Sequence, residues 1–376
     1  MKIAYISDQF LPQTATDTEQ SLNMIAGLGN RGAEVRLVVP REPLKSGPTA
    51  RDLATYYQVP ANFDVQSYPM PTWPRVLAKA GHALRAVVTK LAGDADVIYT
   101  RNLPLVIAAA AAGLGPIIYE TYRPWPDQNP ALRVVLQQLA KSNRLTGLVL
   151  HSKLAADSFQ RVGFSEEQLL VAHNAWDPKK LEPVLSLDAA RARCDLPQDR
   201  QVVTYAGRIQ RHKGIGMILD MARALPDVQF VLVGSEGEGE MEAEAAPIAN
   251  VEVRPWLPFS EVVPYLYASD VLLIPPTLGP LQTTGTTVLP MKTFLYMATG
   301  RAIFAGRTPD LLEVLEDGKN ACLVAPDDGA AALEGLRSLL ADPEGGRALG
   351  AAARRKMDAW TWDDRAQAVL EFIETL

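Results

Sequence analysis

Gln201-Val202-Val203-Thr204-Tyr205-Ala206-Gly207-Arg208-Ile209-Gln210-Arg211-His212-Lys213-Gly214-Ile215 reads as a strand, a glycine turn and the start of a helix. The β-branched run up to Thr204 leads into Gly207, and two cations five positions apart follow at Arg208 and Lys213. Beyond Gly214, the residues Ile215, Ile218, Leu219 and Ala222 repeat with helical spacing. A strand ending in Gly-Arg, before a helix opened by Lys-Gly, aims two fixed positive charges and free backbone N–H groups at one spot. That arrangement suits an anion, and a diphosphate in particular. Taken alone, the same residues also suit two solvated cations in a strand–helix loop.

The pattern around this segment repeats along the chain. Strand-like runs fall near 2–7, 34–40, 65–70, 96–101, 116–121, 147–152 and 169–174, and then near 201–207, 229–234, 250–256, 271–276, 301–306 and 321–326. Many are continuous apolar runs such as Val271-Leu272-Leu273-Ile274, as expected of strands covered on both faces. Helical periods lie between them. A chain of 376 residues is too long for one ordinary core. Two sets of βα units predict an α/β protein of two doubly wound Rossmann-like domains facing across a cleft. The expected boundaries are 1–178, 179–358 and a C-terminal helix, 359–376, that crosses back to the first domain.

The net charge of −6 argues against nucleic acid as a partner. The two cysteines, Cys194 and Cys322, imply neither a disulfide framework nor a metal cluster. No basic-then-apolar signal segment opens the chain, and the longest uncharged stretch, Asn102 to Tyr119, is broken by Pro104, Gly113, Gly115 and Pro116. The expectation is a cytoplasmic protein.

Three segments resemble sites without the right context. Gly27-Leu28-Gly29-Asn30-Arg31-Gly32 fits G-x-G-x-x-G but precedes a strand, so it reads as a helix C-terminus. Asp94-Ala95-Asp96 reads as the entry turn of the next strand, with metal binding as the alternative. Gly234 to Gly239 follows a strand, yet Glu236, Glu238, Glu240, Glu242 and Glu244 would repel a phosphate; a solvated acidic loop is expected, with only Gly234 near the cleft.

Four segments fall at strand ends on one side. They are Gln9 to Thr18, where Thr16-Asp17-Thr18-Glu19 has capping-box spacing; Glu120-Thr121-Tyr122-Arg123-Pro124-Trp125; Gly207 to Gly214; and Leu278 to Met291. The last holds Gly279, Gly285, Thr283, Thr284, Thr286 and Thr287, a set of N–H and O–H donors suited to a sugar or phosphate. A plain helix cap is the alternative for the first segment, a structural ion pair at Glu120 for the second and a flexible turn for the last.

With these motifs assembled, the chain resembles the retaining GT-B glycosyltransferases of family 4. Tyr205-Ala206-Gly207-Arg208 … Lys213-Gly214 is similar to the family's donor-diphosphate element. Asn250-Val251 … Leu257-Pro258 and Tyr267-Ala268-Ser269-Asp270-Val271 resemble its next two strands with the helix between them. Leu289-Pro290-Met291-Lys292-Thr293-Phe294-Leu295-Tyr296-Met297-Ala298-Thr299-Gly300 resembles its Pro-x-Lys-x-Phe-Glu-Tyr-Met-Ala-x-Gly helix. Glu313-Val314-Leu315 and Asp317-Gly318 match the run before the last strand, and Asn174-Ala175-Trp176-Asp177 is similar to the family's Asn-Gly-Val-Asp. The family's two donor-site glutamates fall at Thr287 and Leu295, its first-domain histidine near Tyr122, and its first-loop glycine pair around Thr14, Ala15 and Thr16.

The resemblance implies a metal-independent enzyme that uses a nucleotide-sugar as donor substrate and needs no cofactor. Arg208, Lys213 and Tyr122 take the catalytic positions. Gly207, Gly214, Gly234, Leu257, Thr286, Thr287, Val288, Leu289 and Leu295 take the donor-binding ones. Thr14, Ala15, Thr16, Glu120, Arg123 and Asn174 lie on the acceptor side, which would hold a carbohydrate or a lipid-linked acceptor. The replacements at Thr287, Leu295 and Tyr122 also fit a non-catalytic relative serving as a binding or partner subunit. A nucleotide-sugar epimerase on the same fold would need acid/base groups flanking the sugar, and the four histidines show no paired arrangement.

Residues 73–91 carry one more signal. Arg75, Lys79, His82, Arg85 and Lys90 fall opposite Leu77, Ala80, Leu84, Val87, Val88 and Leu91, with Trp73 just before. A basic amphipathic helix of this kind lies on an anionic bilayer, or covers the core with a solvated basic face.

Overall fold

The computed structural model describes residues 1–71, 75–284 and 289–376, so Trp73, Thr286, Thr287 and Val288 lie outside the described residues. The chain divides into two compact units. One comprises Met1–Asn174 together with Trp362–Leu376, and the other Ala175–Thr361.

Every expected strand is present. The first unit holds a seven-stranded parallel sheet of β1 (Lys2–Ile6), β2 (Glu34–Arg41), β3 (Asp64–Pro69), β4 (Val97–Thr100), β5 (Ile117–Thr121), β6 (Gly147–Leu150) and β7 (Leu169–Val171). The second holds a six-stranded parallel sheet of β8 (Val202–Ala206), β9 (Gln229–Ser235), β10 (Val251–Pro255), β11 (Val271–Leu273), β12 (Ala302–Gly306) and β13 (Cys322–Val324). The central strands β5, β6, β11 and β12 are buried along their whole length, which is why β6, β11 and β12 read as unbroken apolar runs, while β5 closes on the buried polar residues Glu120 and Thr121. Strand order is β3-β2-β1-β4-β5-β6-β7 in one sheet and β10-β9-β8-β11-β12-β13 in the other. The direction of winding therefore reverses between β1 and β4, and again between β8 and β11. Beyond the carboxyl ends of such neighbours, diverging helices leave a crevice for a ligand.

Six helices shape the two crevices and their supports: α1 (Thr16–Asn30), α2 (Arg75–Val88), α3 (Ile215–Ala224), α4 (Glu240–Ala245), α5 (Met291–Thr299) and α6 (Trp362–Thr375). The glycine-rich run ends α1. The Ala33 N–H reaches the Leu28 carbonyl at 3.1 Å, and the Gly32 N–H reaches the Gly29 carbonyl at 3.1 Å, with Gly32 left-handed at φ +89°. These are the two bonds of a Schellman motif, with glycine in the position that requires positive φ. Gly27 serves packing instead. A Cβ there would lie 2.8 Å from the Trp362 carbonyl oxygen, so its absence lets α6 lie against α1.

The start of α1 corrects the capping-box expectation. Ala15 is the last extended residue before the helix, and no side chain caps it. Thr16 is already helical, so its hydroxyl is past the position from which it would serve the first N–H groups. The Thr18 hydroxyl turns back to the Ala15 carbonyl, at 2.5 Å. Asp94 and Asp96 do form an entry turn: Asp96 accepts from the Lys2 N–H at 2.7 Å, and Asp94 pairs with the Lys2 ammonium at 2.8 Å.

Helix α2 is rotated from the expected phase. His82 is buried and bonded to the Tyr68 hydroxyl, and Ala83 and Ala86 face the core. Leu84 and Val88, which the core-covering alternative places inside, are 64% and 70% exposed. The small alanines permit close packing of the helix, and that outweighs burial of the larger side chains on the other face.

Candidate functional site

The candidate anion site is built on the end of β8. Gly207 has φ +149° and donates its N–H to the Val233 carbonyl at 2.8 Å. Gly234, at φ +125°, lies so close that a Cβ there would fall 2.5 Å from the Gly207 carbonyl oxygen. Two tyrosines clamp the turn: the Tyr205 hydroxyl donates to the Arg208 carbonyl at 2.9 Å, and the Ala206 N–H donates to the Tyr296 hydroxyl at 2.8 Å. A single 3₁₀ turn, Arg211–Lys213, then leads to Gly214, left-handed at φ +82°. A Cβ on Gly214 would sit 2.7 Å from both Pro275 Cβ and Thr277 Cγ2, in the loop after β11. Glycine here brings the start of α3 against the point where strand order reverses. No side chain caps α3, and nothing lies within 4 Å of the Cβ position at Gly216. The Met217 N–H turns to the Gly214 carbonyl at 3.2 Å, and those of Ile215 and Gly216 are left without an intrahelical partner.

Charge at this place is unevenly compensated. Arg211 is held by Glu240, at 2.9 Å, and by Glu244, both on α4. Arg208 has one carboxylate partner among the described residues, Glu236 at 3.2 Å, with side chains 66% and 54% exposed. An exposed pair of this kind is worth at most about 1 kcal/mol and yields readily to a stronger anion. Lys213 has no carboxylate partner among the described residues, and burial followed by the nearby Arg208 lowers its pKa. The acidic run is therefore not simply a solvated loop. Part of it neutralises Arg211, which leaves Lys213 and a loosely held Arg208 at the helix start.

The remaining donor-side positions contribute less. Leu289 is buried, and Leu257 packs partly buried against the same core and offers a ligand no polar side-chain atom. Leu295 lies partly buried on α5 and has no polar side-chain atom to replace a carboxylate. Thr286, Thr287 and Val288 are outside the described residues.

The first unit has a pocket of about 450 Å³ where its own sheet reverses. Ser7, Asp8 and Gln9 follow β1, Arg101 and Asn102 follow β4, and Glu120, Tyr122, Arg123 and Trp125 come from the end of β5 and beyond. The Arg123 guanidinium lies 5.6 Å from the Tyr122 ring centroid and 5.0 Å from that of Trp125. Glu120 contributes mainly structure. One carboxylate oxygen accepts from the Tyr99 hydroxyl, and the other lies 2.6 Å from His151 Nε2 and 3.1 Å from Arg365 on α6. Burial would raise its pKa, but Arg365 and then His151 outweigh that and hold the carboxyl well below its usual range. Burial likewise pulls His151 down to about 4, so the imidazole is neutral at pH 7. Thr14, Ala15, Thr16 and Asn174 do not line this pocket. Asn174 is buried, and its Oδ1 has no partner.

Three residues outside the expected set stand out. Lys292, in the first turn of α5, reaches Gly207 and the ring of Tyr205. The sequence carried a faint sign of it, because a lone cation at a helix N-terminus opposes the macrodipole. Arg101 enters the pocket because β4 neighbours β1, and its guanidinium donates to the Asp17 carbonyl at 3.0 Å. Arg365 meets Glu120 across 245 positions of sequence.

Two family models match the chain. One, described as glycosyl transferase 4-like domain, covers residues 18–175, and the other, glycosyl transferases group 1, covers residues 200–342. The D-inositol 3-phosphate glycosyltransferase of Streptomyces avermitilis is 28% identical over 262 residues, which is 64% of this chain and 54% of that protein. The alpha-maltose-1-phosphate synthase of Mycolicibacterium smegmatis is 29% identical over 191 residues, 46% of this chain and 47% of that protein. The chain thus spans about half the length of these curated relatives. Among solved structures, Anabaena HepE in complex with UDP has a TM-score of 0.74 at 18% identity, covering 100% of both chains. Sucrose-phosphate synthase from Thermosynechococcus elongatus has 0.75 at 16% identity, covering 99% of this chain and 98% of that one. The matched segments take in most of the sequence, one in each sheet, and the chain belongs to the glycosyltransferases of GT-B fold.

Proposed function

We propose that this chain moves a sugar from a nucleoside-diphosphate sugar to a hydroxyl of a carbohydrate or lipid-linked acceptor, with retention of configuration and without a metal, in glycan or glycolipid assembly. The observation that carries the reading is the gathering of Arg208, Lys213 and the uncapped start of α3 beside the reversal of the second sheet. As the bond between the anomeric carbon and the phosphate oxygen breaks, negative charge grows on the departing diphosphate. Cations and N–H groups already in place stabilise that charge more than they stabilise the intact donor. The acceptor oxygen bonds the anomeric carbon on the face the diphosphate leaves, and the acceptor's proton passes to a departing phosphate oxygen. No protein base is then required. Tyr122 and Arg123, in the first unit's pocket, are assigned to the acceptor, and Thr287 to a donor sugar hydroxyl.

Anabaena HepE was solved with UDP-glucose, which makes UDP-sugars the first donors to try. The test is a panel of uridine, guanosine and adenosine diphosphate sugars, with and without acceptors, read as free nucleoside diphosphate. Consumption of at least one donor is the expected result. Binding of nucleotides without any turnover would leave the chain a binding subunit.

The acceptor reading extends to α2 and residues 73–91. Ala80, Leu84 and Val88 form an exposed row at i, i+4 and i+8, flanked by exposed Lys79, Arg85 and Lys90. Apolar side chains between cations match an anionic bilayer surface, and we assign peripheral contact at the inner face of a membrane to this helix. No helix among the described residues is long and apolar enough to cross a membrane. Sedimentation with anionic phospholipid vesicles at low salt checks the assignment. The double variant Leu84→Glu, Val88→Glu is expected to bind about tenfold more weakly or worse. Equal partitioning of variant and wild type would remove the membrane contact.

A further inference from the structure

Lys292 is a further cation of the second unit's site that the proposed mechanism has not used and, unlike Arg211, it has no carboxylate partner among the described residues. Its Nζ lies 3.9 Å from the centroid of the Tyr205 ring. It also occupies the space beside Gly207, where a Cβ would approach it to 2.5 Å. A side chain at Gly207 would displace this ammonium, so the glycine serves the lysine as well as the strand end. Lys292 is the second residue of α5, a helix with no side-chain cap. A cation there faces the positive end of the helix dipole.

The groups around it come from several elements. Lys213 approaches from the 3₁₀ turn, Tyr205 from β8, and Tyr296 lies on its own helix. Arg208 stands behind Lys213, and the carboxylate nearest that arginine, Glu236, is engaged with it. Among the described residues no carboxylate pairs with Lys292. A partly buried ammonium beside a second one, at a helix N-terminus and without a counter-ion, is a poor arrangement for the empty protein. It becomes a good one when a multiply charged anion arrives.

Resting on the donor reading, we infer that Lys292 is a third cationic donor to the diphosphate, and that its engagement is accompanied by uptake of a proton from solvent. Burial and then Lys213 pull its pKa down to about 7. The empty site therefore holds mostly neutral amine above that pH, and an anion restores the ammonium. Atoms balance simply: one proton moves from buffer to Nζ, and no bond of the ligand changes.

The probe is uridine diphosphate, with guanosine and adenosine diphosphates and inorganic pyrophosphate beside it. It is titrated calorimetrically into the full chain at pH 8, in two buffers of different ionisation enthalpy. At that pH the terminal phosphate of a nucleoside diphosphate, whose last ionisation lies near about pH 6, contributes almost no proton change of its own, and inorganic pyrophosphate, which still carries a proton there, is read for affinity alone. Wild type is expected to take up about half a proton or more per ligand bound. Lys292→Met should lose that increment and bind about tenfold more weakly. Lys292→Arg should keep the affinity without the uptake, because a guanidinium stays charged. Lys213 keeps its own share in every variant, so the difference between proteins is what is read. Melting of the ligand-free variants keeps folding separate from binding, and Lys292→Met should melt no lower than wild type. If wild type and Lys292→Met bind the probe alike and take up the same number of protons, the role of Lys292 is overturned while the diphosphate site stands. If none of the probes binds wild type, the donor reading falls and this inference falls with it.

Discussion

Replacing Arg208 with alanine is expected to lower sugar transfer about 10²-fold without moving the melting temperature appreciably. The two halves of that expectation come from different observations. The Arg208 side chain is 66% exposed, and its one ion pair among the described residues, with Glu236, is also exposed, so removal takes little from stability. Its position is fixed even so, because Tyr205 holds the Arg208 carbonyl and Gly207 and Gly234 hold the turn. A charge held in place before reaction stabilises the leaving diphosphate without further reorganisation, and its effect falls mainly on kcat. Lys213→Ala should act in the same direction. The double variant should lose less than the product of the single losses if both serve one anion. Steady-state release of nucleoside diphosphate, beside a thermal melt, measures both halves.

Arg365→Met is expected to destabilise the protein by about 3–5 kcal/mol. Arg365 and Glu120 are each only 3% exposed, and the guanidinium also donates to the His173 carbonyl at 3.0 Å. The pair fastens α6 to the first sheet. Removing the arginine leaves a carboxylate buried beside a neutral imidazole. The pH dependence identifies the cause. In wild type, His151 stays neutral down to about pH 4, whereas an unfolded histidine takes its proton near 6.5. The unfolded state thus binds more protons in that window, and stability falls as pH drops through it. Glu120 adds to the loss below about 4.5, where the unfolded carboxyl protonates first. Without Arg365, a protonated His151 becomes the natural partner of Glu120. Its folded pKa then rises, and the deficit of the variant should shrink between pH 7 and pH 5. Urea titrations at those two pH values check this, and a deficit that does not change with pH would locate the role of Arg365 elsewhere.

The sheets were legible because parallel strands are buried on both faces and leave unbroken apolar runs, as in Val271–Leu273 and Ala302–Gly306. The Gly207 to Gly214 turn was legible for a different reason: positive φ at both glycines leaves few other residue types that fit. The phase of α2 was not legible. Ala78, Ala80, Ala83 and Ala86 are spread over more than one face of the helix, so hydropathy gives little contrast to orient it. His82 has to be seen beneath Tyr68 before the rotation makes sense. Arg101 and Arg365 were hidden because strand order and the return of the last helix bring them to the first unit's site, and neither is written in local spacing. Lys292 was in plain view within the run from Leu289 to Gly300, but its meaning depends on how near it lies to Gly207 and Lys213.

The central claim is that Arg208, Lys213 and the start of α3 grip a diphosphate. The most direct measurement is a crystal structure of the full chain grown with a nucleoside diphosphate. The account predicts both phosphates within hydrogen-bonding distance of the two cations and of the Ile215 and Gly216 N–H groups, with Glu236 released from Arg208. A diphosphate bound elsewhere, or Arg208 still paired with Glu236 beside a bound nucleotide, would contradict it.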